Sequence, residues 1–214
     1  MTTRPHWTGI LLAAGRGRRF DPSGTEDKLL QTLPNGLSLV AQSAVNLASV
    51  FDDVLVVVRK DNVRLQSVLH TFAATHAAQF SPLICDNADE GMAASLTAAL
   101  RQRPDSSGWV VALADMPFVR PSTIRQVLQG LEDGADIVVP VYQGRRGHPV
   151  GFSRRHAAEL LALTGDQGAR RLLQTYPVQE IVVDDPGILQ DVDQLSDLQG
   201  YLQNLPAKNT PILK

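Results

Sequence analysis

The feature that most constrains the fold is a series of short, wholly apolar runs set between longer stretches with helical spacing. Ile10-Leu11-Leu12, Val54-Leu55-Val56-Val57-Val58, Trp109-Val110-Val111-Ala112-Leu113-Ala114 and Ile137-Val138-Val139-Pro140-Val141 show no alternation with polar residues. Runs this brief and continuous suit strands buried on both faces. Phe80 to Cys85 and Val178 to Val183 read as further strands, with a short one near Val150-Gly151-Phe152. Helices are expected over residues 37–51, 61–76, 93–101, 121–131, 155–163, from just after Gly165-Asp166 to 175, and 195–202. Ser38 and Asp61 stand where N-caps are expected, and Pro121 suits a first helical turn. Strands alternating with helices imply an α/β protein: a mostly parallel sheet, right-handed crossovers and helices on both faces. In such sheets ligands gather outside the carboxyl ends of the strands.

Composition narrows the possibilities. With 214 residues, 43% hydrophobic and 20% charged, the chain can build one large core. One domain over residues 1–205 is expected, with 206–214 a frayed tail. A net charge of −2 argues against nucleic acid as a partner. The single cysteine, Cys85, excludes an intrachain disulfide and a Cys-rich zinc site. No apolar run reaches membrane-spanning length, and no signal-type segment opens the chain. A cytoplasmic protein without a membrane partner is expected.

The first buried run stops at Ala13-Ala14-Gly15, and Arg16, Gly17, Arg18, Arg19 and then Lys28 follow. Glycine lets backbone N–H groups come close to a ligand, and the cations add full charge. Such a loop at a strand end suits a polyphosphate; it also suits a tight turn with solvated arginines. Phe20 stands where a dinucleotide fingerprint needs its third glycine, and no Gly-Lys-Ser/Thr follows, so neither common phosphate motif applies. Asp115 ends another buried run, before Met116-Pro117. It either caps that turn or holds Mg²⁺, which takes one or two carboxylates with phosphates and waters. Asp191 and Asp193 offer a second carboxylate, or cap a following helix. His148, between Gly147 and Pro149, either meets a polar ligand or sits in a plain turn. Asp166, Gly168 and Arg170 mark a helix start that holds an anion or is merely capped. Asn87 and Ser95 flank another helix start and either touch a nucleotide or cap.

Leu12-Ala13-Ala14-Gly15-x-Gly17-x-Arg19-Phe20 with Lys28-Leu29-Leu30 resembles the signature of nucleotidyltransferases that activate cofactors and sugars. The closer likeness is to the molybdenum cofactor cytidylyltransferases. Four more stretches agree: Glu90-Gly91-Met92-Ala93-Ala94-Ser95-Leu96, Leu113-Ala114-Asp115-Met116-Pro117-Phe118-Val119, Gly147-His148-Pro149-Val150 and Gly165-Asp166-Gln167-Gly168-Ala169-Arg170. The matches run in order over about residues 8–200. Gly17 replaces a usual serine, Asp21 a usual glycine, and Gln194-Leu195 stand where the family closes on Thr-Pro. The stretch from Pro22 to Asp27 is also longer than usual.

The resemblance implies a three-layer α/β/α sandwich, with a mostly parallel Rossmann-like sheet of the nucleotide-diphospho-sugar transferase type. It further implies Mg²⁺ as cofactor and transfer of CMP from CTP to a molybdopterin-type acceptor. Leu12, Ala13, Ala14 and Gly15 would contact nucleotide, with Arg16, Gly17, Arg18, Asn87 and Ser95 around it. Arg19 and Lys28 would meet the phosphates. Asp115 would bind the metal, with Asp193 as second carboxylate, and His148 and Arg170 would face the acceptor. Ala14 points to CTP, because the guanylyl branch usually has Gly-Gly there. A GTP-using sibling, a sugar- or alcohol-phosphate transferase and a non-catalytic cofactor-delivery protein are the other readings. Hand-over of the product to a molybdenum hydroxylase is the family-based expectation.

Overall fold

The computed structural model describes residues 5–17, 20–21, 26–76, 79–194 and 197. The strands are β1 (Trp7–Leu12), β2 (Val54–Arg59), β3 (Ser81–Cys85), β4 (Gly108–Leu113), β5 (Ile137–Tyr142), β6 (Arg145–Arg146), β7 (Val150–Ser153) and β8 (Gln179–Val182). The helices are α1 (Leu39–Ala48), α2 (Val63–His76), α3 (Met92–Gln102), α4 (Pro121–Glu132), α5 (Ala157–Leu161) and α6 (Arg170–Thr175). One eight-stranded sheet runs in the order β3-β2-β1-β4-β7-β5-β6, with β8 also paired to β5. The pairs β1–β2, β1–β4, β2–β3 and β5–β8 are parallel; β4–β7, β5–β7 and β5–β6 are antiparallel. The sheet is therefore largely parallel, as expected, with an antiparallel insert around β7.

Continuous apolar strands bury both faces because successive side chains point opposite ways. On one face Leu11, Val56, Val110 and Val138 pack with Leu47, Leu65 and Val127 from α1, α2 and α4. On the other, Ile10, Val57, Trp109 and Val139 pack with Leu96, Leu160 and Leu172 from α3, α5 and α6. Among the described residues no helix is long and apolar enough to cross a membrane.

Ser38 caps α1 as expected, its hydroxyl accepting from the Ala41 N–H at 3.4 Å. The cap of α2 is not Asp61 but Asn62, whose Oδ1 accepts from the Leu65 N–H. Asp61 is taken instead by the Arg59 guanidinium, in two hydrogen bonds of 2.8 and 2.7 Å. A charge-assisted fork outcompetes a single capping bond. The helix expected over 155–163 is shorter: a 3-10 turn over Arg154–His156 leads into α5. The expected helix over 195–202 and the tail from 206 lie outside the described residues, apart from Asp197.

At the amino ends of the strands, Asp53 ties three elements together. Its carboxylate accepts from Thr8 Oγ1 on β1 at 3.0 Å and from Arg103, just past α3, at 2.8 and 3.1 Å. The His6 ring lies 3.1 Å away. Burial alone would raise the Asp53 pKa, but the hydrogen bonds from Arg103, Thr8 and His6 outweigh it and the net shift is downward. A depressed carboxyl pKa contributes stability above its unfolded value and loses it as pH falls through the folded one. Asp53→Asn is expected to lower unfolding free energy by about 1–3 kcal/mol at neutral pH. Urea melts at pH 7 and in acid measure this, and the gap between mutant and wild type should shrink in the acid melt.

Candidate active site

The register of the central strands builds the site. Leu12 pairs with both Val57 and Leu113, so β1 and β4 end at the same level and β2 runs two residues further, to Arg59. The Ala13 N–H donates to the Val57 carbonyl, and the Ala114 N–H to the Leu12 carbonyl. Ala13-Ala14-Gly15 therefore leaves the sheet beside Asp115, although 100 residues separate Gly15 from Asp115 in the chain. Both line one cleft of about 500 Å³.

Lys28 reaches this cleft from a 3-10 turn, Lys28–Leu30. Asp27 caps the turn by accepting from the Leu29 N–H, and Leu29 is anchored in the core. The Lys28 ammonium donates to Asp115 Oδ2 at 2.8 Å and to Asp193 Oδ1 at 3.0 Å. Burial of Lys28 works against its charge, but the two carboxylates outweigh that, and its pKa lies above the ordinary lysine value. Asp193 is brought in from the far end of the chain by its neighbour. The Val192 N–H donates to the Asp115 carbonyl, and the Val192 side chain is buried with Leu33 and Leu39.

A second charged group closes the other side of the cleft. Arg16 Nε and Nη2 donate to the two oxygens of Asp89 at 2.8 and 2.5 Å. Arg59, nearly buried at the end of β2, donates from Nη1 to Asp89 Oδ1 at 2.8 Å as well as holding Asp61. The hydrogen bonds from Arg16 and Arg59 hold the Asp89 carboxyl far below its ordinary range. Arg59 and Asp89 carry no expected site role from sequence, and Asp61 is expected only as a helix cap. The signal was there for Arg59: like Gly15 and Asp115, it ends a buried run, and the rule about strand ends applies to it equally.

The expected nucleotide residues Leu12, Ala13, Ala14, Gly15, Arg16, Gly17 and Ser95 all line the cleft, with Lys28, Asp115 and Asp193. Asn87 does not; its amide donates to Glu90 Oε2 and its Oδ1 lies 3.4 Å from Cys85 Sγ. Arg18 and Arg19 fall outside the described residues. Helix α3 starts at the cleft wall, where Asp166 Oδ1 accepts from the Met92 N–H at 3.3 Å. Gly91 has φ +112, and a Cβ there would stand 2.5 Å from the Gly165 carbonyl carbon. Asp166 thus serves α3, not the helix that follows it in sequence.

A second pocket, also about 500 Å³, adjoins the first and shares Leu12, Met92 and Leu113 with it. Its walls are largely apolar: Leu96, Val111, Val139, Val150, Phe152 and Leu173. His148 and Arg170 line it, as does Arg146. Burial pushes the His148 pKa down, against the smaller pull of Asp115 and Asp191. Its Nδ1 is buried with no hydrogen-bond partner among the described residues.

Among the described residues no group of three or more His, Cys, Asp or Glu side chains converges as a metal cage. The donor set present is a pair of carboxylates meeting on one cation, Asp115 and Asp193 on Lys28. Two carboxylates fit a Mg²⁺-type ion that keeps waters and phosphate oxygens as its other ligands, and do not fit a thiolate- or imidazole-seeking metal.

The chain is similar to several known proteins over most of its length. It is 30% identical to the purine catabolism protein PucB of Bacillus subtilis (strain 168), over 88% of this chain and 92% of that one. It is 26% identical to a molybdenum cofactor guanylyltransferase of Cupriavidus metallidurans, over 92% and 95% of the two chains. The crystal structure of Rv0371c from Mycobacterium tuberculosis H37Rv superposes with a TM-score of 0.75 at 28% identity, over 94% of this chain and all of that one. Rv0371c has also been crystallised in complex with manganese; that structure matches at 26% identity with a TM-score of 0.70, over the same shares of the two chains. The architecture is that of nucleotidyltransferases of the nucleotide-diphospho-sugar transferase type. The MobA-like NTP transferase domain matches residues 9–181, and with that match, the sheet and the cleft at its carboxyl edge, the chain belongs to the MobA-like family of nucleotidyltransferases.

Proposed function

We propose that the protein transfers CMP from CTP to the phosphate of a molybdopterin-type acceptor and releases pyrophosphate. The observation that carries this reading is the meeting of Lys28, Asp115 and Asp193 in a cleft roofed by the loop from Ala13 to Gly17. The acceptor phosphate oxygen forms a bond to the α-phosphorus as the bond to the leaving pyrophosphate breaks. That nucleophile is already anionic near neutral pH, so no general base is needed. Positioning and charge stabilisation do the work. Lys28 faces the charge that grows on the α-phosphoryl group, and the N–H groups of the glycine loop, with Arg16, face the leaving phosphates. Asp115 and Asp193 would hold a divalent ion, Mg²⁺ in this proposal, which supplies Lewis-acid neutralisation of phosphate charge when bound. His148 and Arg170 face the acceptor in the adjoining pocket.

The base is the finer part of the proposal. The methyl group of Ala14 stands in the cleft lining where the guanylyl branch usually has glycine, which favours the smaller pyrimidine. The relatives named as guanylyltransferases favour GTP as the second reading. One nucleotidyltransferase domain over residues 1–205, a cytoplasmic location and hand-over of the product to a molybdenum hydroxylase belong to the same proposal. A thermal-shift panel of the four ribonucleoside triphosphates with Mg²⁺ tests it. A ligand at 100 times its Kd stabilises by about 2.7 kcal/mol, a shift easily read by melting. CTP is expected to give the largest shift. A larger shift with GTP would move the protein to the guanylyl branch, and none with any triphosphate would remove the nucleotide cleft.

A further inference from the structure

Asn62, at the end of the turn between β2 and α2, uses both ends of its amide. Its Oδ1 accepts from the Leu65 N–H at 3.1 Å and caps α2. Its Nδ2 donates to Asp27 Oδ2 at 2.6 Å, across 35 positions of the chain. The other Asp27 oxygen accepts from the Leu29 N–H at 2.9 Å and caps the 3-10 turn that carries Lys28. One amide therefore joins the start of a helix to the start of the Lys28 turn. Its two ends cannot be exchanged, because the Leu65 N–H only donates and a carboxylate only accepts. Asp27 and Lys28 line the nucleotide cleft, and Asn62 is not among the lining residues. The support behind Asn62 is rigid. Leu65 is fully buried and packs in the same core layer as Leu29. Gln66 Nε2 donates to the carbonyls of Arg59 at 2.7 Å and Lys60 at 3.1 Å, which binds the turn to the helix it precedes.

We infer that Asn62 is a positioning residue for Lys28, acting through Asp27 to fix where the ammonium stands. This rests on reading Lys28 as the group that faces the α-phosphoryl charge. Asp115 and Asp193 hold the ammonium, and they are also the pair proposed to take a divalent ion. A lysine anchored only by groups that rebond as ligands arrive would move with them. The Asn62–Asp27 bond, with the burial of Leu29, holds the backbone end of Lys28 and draws on neither carboxylate. The residue type agrees. Aspartate caps a helix as well as asparagine does, but has no N–H to offer Asp27. Serine also caps, but its side chain is one bond shorter.

Two readouts on the intact protein test the tie. One is acetylation of Lys28 by acetic anhydride, read by peptide mass without substrate. The other is pyrophosphate release from CTP or GTP with Mg²⁺ and molybdopterin. Lys60, with 73% of its side chain exposed, is the internal reference for acetylation. Lys28 is buried, so wild type should acetylate it slowly beside Lys60. Asn62→Asp keeps the cap but sets a carboxylate against Asp27. It should acetylate Lys28 several times faster and lower kcat by about 10²-fold, the loss that misplacing a reacting group by an ångström can bring, with KM changed far less. Asp27→Asn should act in the same direction, because it sets one amide N–H against another. The double variant, Asp27→Asn with Asn62→Asp, reverses donor and acceptor and keeps both caps, so both readouts should return close to wild type. Asn62→Ser should follow Asn62→Asp, while its urea midpoint stays near that of wild type. Wild-type acetylation and kcat in Asn62→Asp and Asn62→Ser would overturn the inference and leave Asn62 a helix cap. So would a double variant no better than the single ones, or a kcat loss that tracks the urea midpoint and not the Lys28 label. Acetylation is read without turnover, so the two proposals fail separately. Recovery of Lys28 protection in the double variant, in a protein that releases no pyrophosphate from either triphosphate, would keep the tie and remove the transferase reading.

Discussion

Lys28→Ala is expected to slow pyrophosphate release by at least about 10²–10³-fold, the usual cost of one preorganised charge contact to a transition state. Lys28 is 8% exposed and its ammonium sits between two carboxylates, so its position is set before any substrate arrives. Its pKa is raised by those carboxylates against the pull of burial, so it stays charged through the working pH range. Its removal also takes away the cation that Asp115 and Asp193 share. They keep 25% and 20% of their side-chain surface, so the stability loss should be smaller than the ~3–5 kcal/mol of a fully buried broken pair. Lys28→Arg should not restore the rate, because a planar fork cannot take the place of a compact ammonium in so closed a position. The measurement is single-turnover pyrophosphate release beside a denaturant melt. A folded Lys28→Ala protein within about tenfold of the wild-type rate would take Lys28 out of the chemistry.

Asp115→Ala is expected to have an effect at least as large, for a different reason. Asp115 does two things in the cleft: it orients Lys28, and with Asp193 it offers the carboxylate pair for a divalent ion. Asp115→Asn separates them. The amide still accepts from Lys28 but no longer carries the charge that a hard cation needs. The asparagine variant should therefore need more metal for half-maximal rate and reach a maximum lower by about 10²–10³-fold. Asp193→Asn should show the same pattern more weakly. Full turnover in Asp115→Ala, with an unchanged metal requirement, would show that the ion is held elsewhere.

The parts of this site legible in the sequence are those that sit at the carboxyl ends of buried strands. Gly15 and Asp115 each end a continuous apolar run, and the parallel alternation of strands and helices predicts that they share a rim. The register of β1 with β4 bears this out. Arg59 obeys the same rule, but no motif marks it, and an Arg-Lys-Asp run after a strand also suits an ordinary solvated turn. The antiparallel insert was less legible. Residues 143–149 read as loop, yet Gln143 and Gly144, at φ 48 and 74, form a tight turn that sets β6 beside β5. Gln-Gly is not the Asn-Gly pair that usually signals such a hairpin. Arg146 faces the second pocket only because that turn exists. Asp61 misled for a local reason, since a carboxylate two residues from an arginine has a stronger partner than a helix N-terminus.

By itself, the sequence determined the layers of this protein and the loop chemistry at the first strand. Burial on both faces demands apolar strands, and helical spacing demands helices to cover them. Neither requirement depends on distant residues. The tertiary structure alone decided which charges meet. Asp193 joins Asp115 because Val192 is buried against Leu33 and Leu39 and bonds the Asp115 backbone. Asp89 joins Arg16 and Arg59 because β2 and β3 run parallel and end together. Side-chain charge is written in the chain, but its partner is chosen by packing, and packing here acts between residues as much as 165 positions apart.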